Sequence, residues 1–172
     1  MTIETARLRL RALREDDAEG LTRIFAHPAV VQYSGGRSPT VEQVRDGIRQ
    51  HVAGYYTDRG YGLLAAELRD TGELVGRVGF LTTEIDDTGD VELHYHLAPS
   101  SWGNGLATEA ARAVLERGFD EGWLTRVVAV IHPENHASRR VAEKCGLTFW
   151  KEMEMKGSGM FAVYHNRSPA AD

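Results

Sequence analysis

The sequence has little cysteine and proline and no long hydrophobic run, and each shortage excludes a class of protein. Its 172 residues include one cysteine, Cys145, so no internal disulfide can form and a reducing compartment is expected. No apolar run approaches the ~20 residues of a membrane-spanning helix. Residues 1–11 alternate polar and apolar side chains, whereas a signal peptide has an apolar core. We therefore expect a cytoplasmic protein without a membrane partner.

Acidic residues outnumber basic ones, 25 against 20. The formal net charge is −5, and the lysines and arginines form no block that would follow a phosphate backbone, so nucleic acid is not an expected ligand. The length and a hydrophobic content of 42% predict one folded domain with a substantial core. We place this domain at residues 1–165 and expect a disordered tail at 166–172.

Hydrophobic periodicity predicts a mixture of strands and helices. Strand patterns occur at 5–11, in a hairpin of 61–68 and 73–81, at 91–97, and in two strands around a turn within 153–164. The nearly continuous apolar, β-branched run at 126–131 predicts a strand that is covered on both faces. Helical spacing predicts helices at 16–27, from Thr40 onward, at 106–121 and at 137–145. This order predicts an α/β fold, an α+β sandwich with a mixed central sheet flanked by helices.

The most informative segment is residues 91–111, VELHYHLAPSSWGNGLATEAA, in which a strand leads through a glycine loop into a helix. The first amides of a helix have no helical acceptor, and the helix dipole favours an anion beside them. Gly103 and Gly105 allow the backbone to approach a ligand closely. This segment therefore predicts a phosphate-binding site.

Several interpretations of the loop are open at this point. A Walker loop needs Gly-Lys-Ser/Thr, which is absent. A dinucleotide fingerprint needs a third glycine where Thr108 stands and an acidic residue at the end of the next strand, which ends at His132-Pro133. A coenzyme A pyrophosphate loop and a plain strand-to-helix turn are the two interpretations that remain.

Several separate blocks resemble the GNAT acetyltransferases, in particular the branch that acetylates N-terminal residues of ribosomal proteins. The blocks are TARLRLR at 5–11, GELVG at 72–76, residues 92–111, PENHAS at 133–138 and EKCGL at 143–147. The pyrophosphate motif of this family is Gln/Arg-x-x-Gly-x-Gly/Ala. Gly103 and Gly105 match it, whereas Ser100 occupies its first position. The resemblance covers nearly the whole chain and implies the GNAT acyl-CoA N-acyltransferase fold.

The resemblance also implies a reaction and a coenzyme site. Acetyl-CoA is the expected cosubstrate, and a primary amine attacks its thioester directly in a ternary complex. The backbone around Leu97 matches the family position that polarises the acetyl carbonyl, and Asn135 and Ser138 match positions that contact the pantetheine arm. The loop amides are assigned to the pyrophosphate; they belong to Trp102, Gly103, Asn104, Gly105, Leu106, Ala107 and Thr108.

Two residues of one strand are candidates for the base. Alternation places Glu92, His94 and His96 on one face of the strand. Glu92 matches a glutamate common in the family and can take the ammonium proton through a water, or it is a salt-bridged strand carboxylate. His94 stands where the family usually has glycine; it is a rival base or a polar lining residue.

The group that protonates the leaving thiolate is not evident. The family often has a tyrosine seven residues after the motif asparagine, and Ala142 occupies that position here. Ser138 is the nearest hydroxyl by motif, although serine is a weak acid and a serine in a first helical turn often bonds the backbone instead. Solvent is the alternative proton source.

No metal is expected, because His132, His136 and His165 have no partners at metal-ligand spacing. Cys145 ends a short predicted helix and is interpreted as a small buried hydrophobe. The amine acceptor is either an α-amine of a peptide N-terminus or amino compound, or a small free amine such as a polyamine or antibiotic. A non-catalytic acyl-CoA sensor on the same fold is the rival function, and a homodimer is compatible with the sequence.

Overall fold

Eight strands form one mixed sheet in the computed structural model, which describes residues 2–86, 88–155 and 157–167. The spatial order is β1-β2-β3-β4-β5-β6-β8-β7. Neighbours are antiparallel except β5 and β6, which are parallel. The strands are β1 (Thr2–Glu4), β2 (Leu8–Ala12), β3 (Leu63–Leu68), β4 (Leu74–Ile85), β5 (Thr88–Leu97), β6 (Arg126–Ile131), β7 (Thr148–Met155) and β8 (Gly159–Arg167).

Five α-helices accompany the sheet in the described part of the chain: α1 (Ala18–Phe25), α2 (Pro28–Val31), α3 (Val41–His51), α4 (Leu106–Asp120) and α5 (His136–Lys144). The start of α3 confirms the predicted cap. Gln43 N donates to Thr40 Oγ1 at 3.2 Å, and Thr40 N donates to Gln43 Oε1 at 2.9 Å.

The helices cover both faces of the sheet, so the core has two layers. β3 shows the division most clearly, because its successive side chains point to opposite faces. Leu63 and Ala65 pack in a cluster with α1, α2 and α3, whereas Leu64 and Ala66 pack in a larger cluster with α4. The sheet is therefore covered on both sides, as the apolar run at 126–131 predicted for β6.

The ends of some predicted elements differ from the structure. Residues 5–11 do not form one strand: a turn in which Thr5 N donates to the Leu8 carbonyl at 2.9 Å separates β1 from β2. Of the predicted tail, Asn166 and Arg167 belong to β8, while residues 168–172 lie outside the described residues. Among the helices that the structure describes, none is both long and apolar enough to cross a membrane.

Candidate active site

The site begins where β5 and β6 separate. Within the described residues, these parallel strands have one pair in register, Glu92 with Val128. On its other side, β5 continues along β4, where Ala98 N donates to the Val75 carbonyl at 2.8 Å. Because successive amides of a strand point to opposite sides, the N–H of Leu97 faces the gap beside β6. The gap thus offers unpaired backbone groups to a ligand.

A cavity of about 270 Å³, the loop cavity, opens from this gap toward the glycine loop. It collects most of the residues that the sequence assigned to the coenzyme: Leu97, Trp102, Gly103, Gly105, Leu106, Ala107, Thr108 and Ser138. Asn104 and Asn135 do not line it. The predicted coenzyme residues therefore converge, with these two in supporting positions.

The glycine loop has the backbone geometry of an anion site. Gly103 and Gly105 have φ of +76° and +78°, a region that side-chain-bearing residues rarely adopt. The first helical hydrogen bond of α4 runs from Glu109 N to the Gly105 carbonyl. The amides of Leu106, Ala107 and Thr108 consequently have no helical acceptor and lie at the cavity wall. These amides and the helix dipole favour a phosphate there.

The N-terminal segment holds this loop in place. Arg7 Nη1 donates to the Asn104 carbonyl at 2.8 Å, and Arg7 Nε donates to Glu109 Oε2 at 2.7 Å. The Thr5 hydroxyl and the Arg7 amide both donate to Glu109 Oε1, at 2.6 and 2.8 Å. Burial of the Glu109 carboxyl is outweighed by these hydrogen bonds, so its pKa lies below its ordinary value. Thr5 and Arg7 thereby bind Glu109, more than 100 positions away in the sequence, and hold the glycine loop in place.

Two basic side chains that the sequence analysis did not select, Arg140 and Lys144 of α5, also line the loop cavity. They are four residues apart and therefore lie on one helix face. Together with the amides across the cavity, they surround the space with positive charge. Their spacing beside the EKCGL block is a signal from which they could have been predicted.

On the other side of the gap lies the strand cavity, about 260 Å³, which contains both candidate bases. His94 Nε2 lies 3.0 Å from Glu92 Oε1, and the exposed fractions of these side chains are 29% and 13%. The two residues that sequence reasoning treated as rivals are therefore close neighbours. The alternation of β5 is confirmed, since Leu93 and Leu97 are buried in the core, whereas the side chains of Glu92 and His94, two residues apart, meet each other.

His96 follows on the same face but has a different environment. Its Nε2 lies 3.0 Å from Ser34 Oγ, and its ring packs edge-on against Phe25 with centroids 5.7 Å apart. Burial, together with the charge of Arg77, lowers the pKa of His96 to about 3. This imidazole is therefore neutral at physiological pH, unlike a group that exchanges a proton near neutrality.

The two cavities meet at a corner formed by β5 and α5. Tyr95, His96 and Ser138 line both of them. The Tyr95 hydroxyl donates to the Ser138 carbonyl at 2.9 Å, and Asn135 Oδ1 accepts from the Ser138 amide at 3.1 Å. Asn135 thus caps α5 and positions Ser138, so its side chain acts on the corner indirectly. Tyr95 is a lining residue that the sequence analysis did not select.

The remaining candidates are inert in this geometry. Cys145 has its Sγ 3.9 Å from the Thr108 carbonyl, and burial raises the pKa of its thiol to about 11, as expected of a structural cysteine rather than a nucleophile. Within the described ranges, no three histidine, cysteine or acidic side chains lie close enough together to hold a metal ion.

Comparison with known proteins agrees with this arrangement. Residues 7–148 match the family model of the acetyltransferase (GNAT) domain. The chain is 36% identical over 167 residues to the uncharacterized protein YkkB of Bacillus subtilis (strain 168), covering 95% of this chain and 94% of that protein. It is 35% identical over 170 residues to the uncharacterized N-acetyltransferase YoaA of the same organism, covering 97% and 90% of the two chains.

Among solved structures, the chain is similar to RimL, a ribosomal L7/L12 α-N-protein acetyltransferase in complex with coenzyme A. The TM-score is 0.83 at 20% identity, and the match covers 100% of both chains. At this identity the likeness shows a common fold.

Proposed function

Because this chain belongs to the GNAT family of acetyl-CoA-dependent N-acetyltransferases, we propose that it acetylates an α-amine, at a peptide N-terminus or on an amino compound. The observation that carries this proposal is the meeting of two cavities at the gap between β5 and β6. One cavity has the amides and cations that suit a pyrophosphate, and the other contains the Glu92–His94 pair. An amine and a thioester can therefore approach each other from opposite sides of the sheet.

The loop cavity holds acetyl-CoA in this mechanism. The pyrophosphate lies on the amides of residues 102–108, with Arg140 and Lys144 opposite, and the pantetheine arm extends into the gap. The acetyl carbonyl then reaches the Leu97 N–H, which stabilises the oxyanion. A single donor of this kind is typically worth ~10²–10³ in rate in acyl-transfer enzymes.

The Glu92–His94 pair prepares the nucleophile. It accepts one proton from the substrate ammonium, with Glu92 as the acceptor and His94 3.0 Å away from its carboxylate. The neutral nitrogen attacks the thioester carbon and an N–C bond forms. The C–S bond then breaks, the thiolate leaves, and the nitrogen releases its second proton to solvent to give the amide. The Ser138 hydroxyl lies at the corner to hydrogen-bond the departing sulfur, which takes its proton from solvent.

The identity of the base favours an α-amine. An unperturbed α-amine has a pKa near ~8 and a lysine side chain near ~10.4, so about a tenth of the α-amine is already free base at neutral pH. Among the described residues that line the strand cavity, Glu92 has the only carboxylate, and this carboxylate lies 3.0 Å from the imidazole of His94. A single modest base is sufficient for an α-amine and poorly matched to a lysine.

A competition experiment tests the proposal. Peptides that carry one free α-amine and one internal lysine are incubated with acetyl-CoA, and the acetylated position is determined by mass spectrometry. We expect acetylation mainly on the α-amine, with Glu92→Gln as the catalytically impaired control. Acetylation mainly on lysine would contradict the α-amine assignment, turnover of polyamines or aminoglycosides alone would indicate a small-amine enzyme, and binding of acetyl-CoA without turnover of any amine would indicate a sensor.

A further inference from the structure

A third cavity, the helix cavity, lies beneath α1, α2 and α3 and adjoins the strand cavity. Its volume is about 410 Å³, and Ser34 and His96 line both cavities. A ligand whose amine is bound beside His94 can therefore extend past His96 into this space.

The helix cavity contains a cation that has no counter-ion among the described residues. Arg77 of β4 is the cross-strand partner of His96, and its guanidinium lies over the Phe25 ring at 4.7 Å from the centroid. Arg77 Nε is buried without a hydrogen-bond partner, and the described residues offer its guanidinium no ion pair. Other inward arginines differ: Arg11 forms a double hydrogen bond with Asp17 at 2.7 and 2.8 Å.

Nothing acidic among the described residues that line this cavity balances Arg77. Arg37 adds a second cation to the wall. His51 is buried and accepts a hydrogen bond from the Leu63 amide at 2.6 Å, and burial together with Arg77 lowers its pKa to about 4. Burial lowers the pKa of Arg77 to about 10, which leaves it cationic at neutral pH. In a chain of net charge −5, this cavity is locally positive.

We propose that Arg77 binds a carboxylate of the acceptor, so that the substrate is an α-amine that also carries a carboxylate. This inference rests on the proposed function and defines its acceptor more closely. The guanidinium of Arg77 is half-buried with its Nε buried and unpartnered among the described residues, which is costly, and a carboxylate that accepts its paired N–H groups removes that cost on binding.

The spacing of the site limits the length of the acceptor. His94 and His96 are two residues apart on β5, a distance of ~7 Å, and Arg77 lies opposite His96. The two charges of a simple α-amino acid are too close together to span this distance. The side-chain carboxylate of an N-terminal glutamate and the C-terminal carboxylate of a dipeptide are each a few bonds further from the α-amine, and both suit it.

The test compares acceptors that differ in one charge. Thiol release from acetyl-CoA is measured with Glu-Ala-Ala-amide against Gln-Ala-Ala-amide, and with the dipeptide Ala-Gly against its amide. We expect the carboxylate member to be preferred in kcat/KM by about 10–100-fold, the usual value of a charged hydrogen bond. The first pair probes a side-chain carboxylate and the second a C-terminal one. Equal kcat/KM within both pairs would overturn the inference while leaving the acetyltransferase function intact.

Variants assign the preference to Arg77. In Arg77→Met the carboxylate preference should fall to near unity, whereas Arg23→Met, on the exposed surface of α1, should retain it. The Tm of Arg77→Met should be equal to or above that of the wild type, because an apolar chain of similar length replaces an unpaired buried charge. A preference that persists in Arg77→Met, or a lowered Tm with the preference intact, would show that Arg77 serves packing instead.

A binding measurement separates this inference from the proposed function. Calorimetry of the same two pairs of acceptors with the CoA-bound protein requires no turnover. Tighter binding of the carboxylate member of either pair, abolished in Arg77→Met, supports the carboxylate site even if no acceptor is acetylated. Equal binding within both pairs contradicts it.

Discussion

Substitution of Gly105 by alanine should weaken CoA binding by an amount that its small cost to the free energy of unfolding does not explain. Gly105 has φ of +78°, and an alanine in this region costs ~1–2 kcal/mol. For a domain of this size that corresponds to a Tm lowered by about 2–8 °C. Among the described residues, a Cβ at this position would meet one atom within 4 Å, Arg7 Nη2 at 3.7 Å, so the protein itself has room for the methyl group. A loss of CoA affinity therefore measures how closely the ligand approaches the loop.

The expected loss of affinity follows from the contact that this methyl group displaces. A hydrogen bond from an amide to a charged phosphate is worth ~1.5–3 kcal/mol, so CoA should bind roughly 10–150-fold more weakly. Isothermal titration calorimetry with CoA measures the change directly, and thermal unfolding measures the cost to the fold.

Gly122 provides the matched control. Its φ is +72°, a Cβ there would meet no atom within 4 Å, and it lies in the turn after α4, outside the wall of the loop cavity. Gly122→Ala should therefore lower the Tm by a similar amount and leave CoA affinity unchanged. Equal CoA affinity in the two folded variants would refute the assignment of the loop to the pyrophosphate.

Three further predictions concern Glu92, Lys144 and His51. Glu92→Gln should lower kcat by roughly 10²–10⁴ without changing CoA affinity, and part of the rate should return at high pH, where free amine is abundant. If His94→Ala removes the acidic limb of the pH–rate profile and Glu92→Gln does not, His94 is the base and Glu92 its neighbour. Lys144→Ala should raise the KM for acetyl-CoA about 2–10-fold. Added salt should raise the KM of the wild type and so reduce its difference from the variant. An unchanged KM in the variant would exclude contact between Lys144 and the phosphates. His51 has a folded pKa of about 4 against 6.5 unfolded, so the unfolded state binds more protons between these values and stability falls as the pH drops from 6.5 toward 4, by up to ~3 kcal/mol. His51→Gln, which keeps an acceptor for the Leu63 amide, should make the Tm nearly independent of pH between 4 and 6.5. If the Tm of this variant falls with pH as steeply as that of the wild type, His51 is not the cause of the pH dependence.

Local patterns predicted the parts of this fold that depend on neighbours in sequence. Thr40 and Gln43 form the expected capping box, and the alternation of β5 places Glu92 and His94 on one face. Gly103 and Gly105 both adopt the left-handed conformation on which the phosphate site depends. In each case the interacting atoms are within four residues, so the sequence alone contains the required information.

Contacts between distant residues could not be predicted in this way. The TARLRLR block and the glycine loop resembled a family separately, but their physical link is the Arg7–Glu109 pair, which requires α4 to lie beside the turn before β2. Arg77 stands in the strand pattern LVGRVGF, where alternation gives it a face but not its surroundings. Only the packing of α1 and α3 over that face makes it a buried charge.

His94 and His96 show how these distant contacts determine chemistry on one strand. Both line the strand cavity. His94 Nε2 lies 3.0 Å from the carboxylate of Glu92, whereas His96 lies 3.0 Å from the Ser34 hydroxyl, and burial together with Arg77 keeps it neutral. The acceptor side therefore has a negative end at Glu92 and a positive end at Arg77, with an uncharged imidazole between them. An acceptor with one charge of each sign has a single favourable orientation in such a field, and that orientation directs its amine toward the thioester.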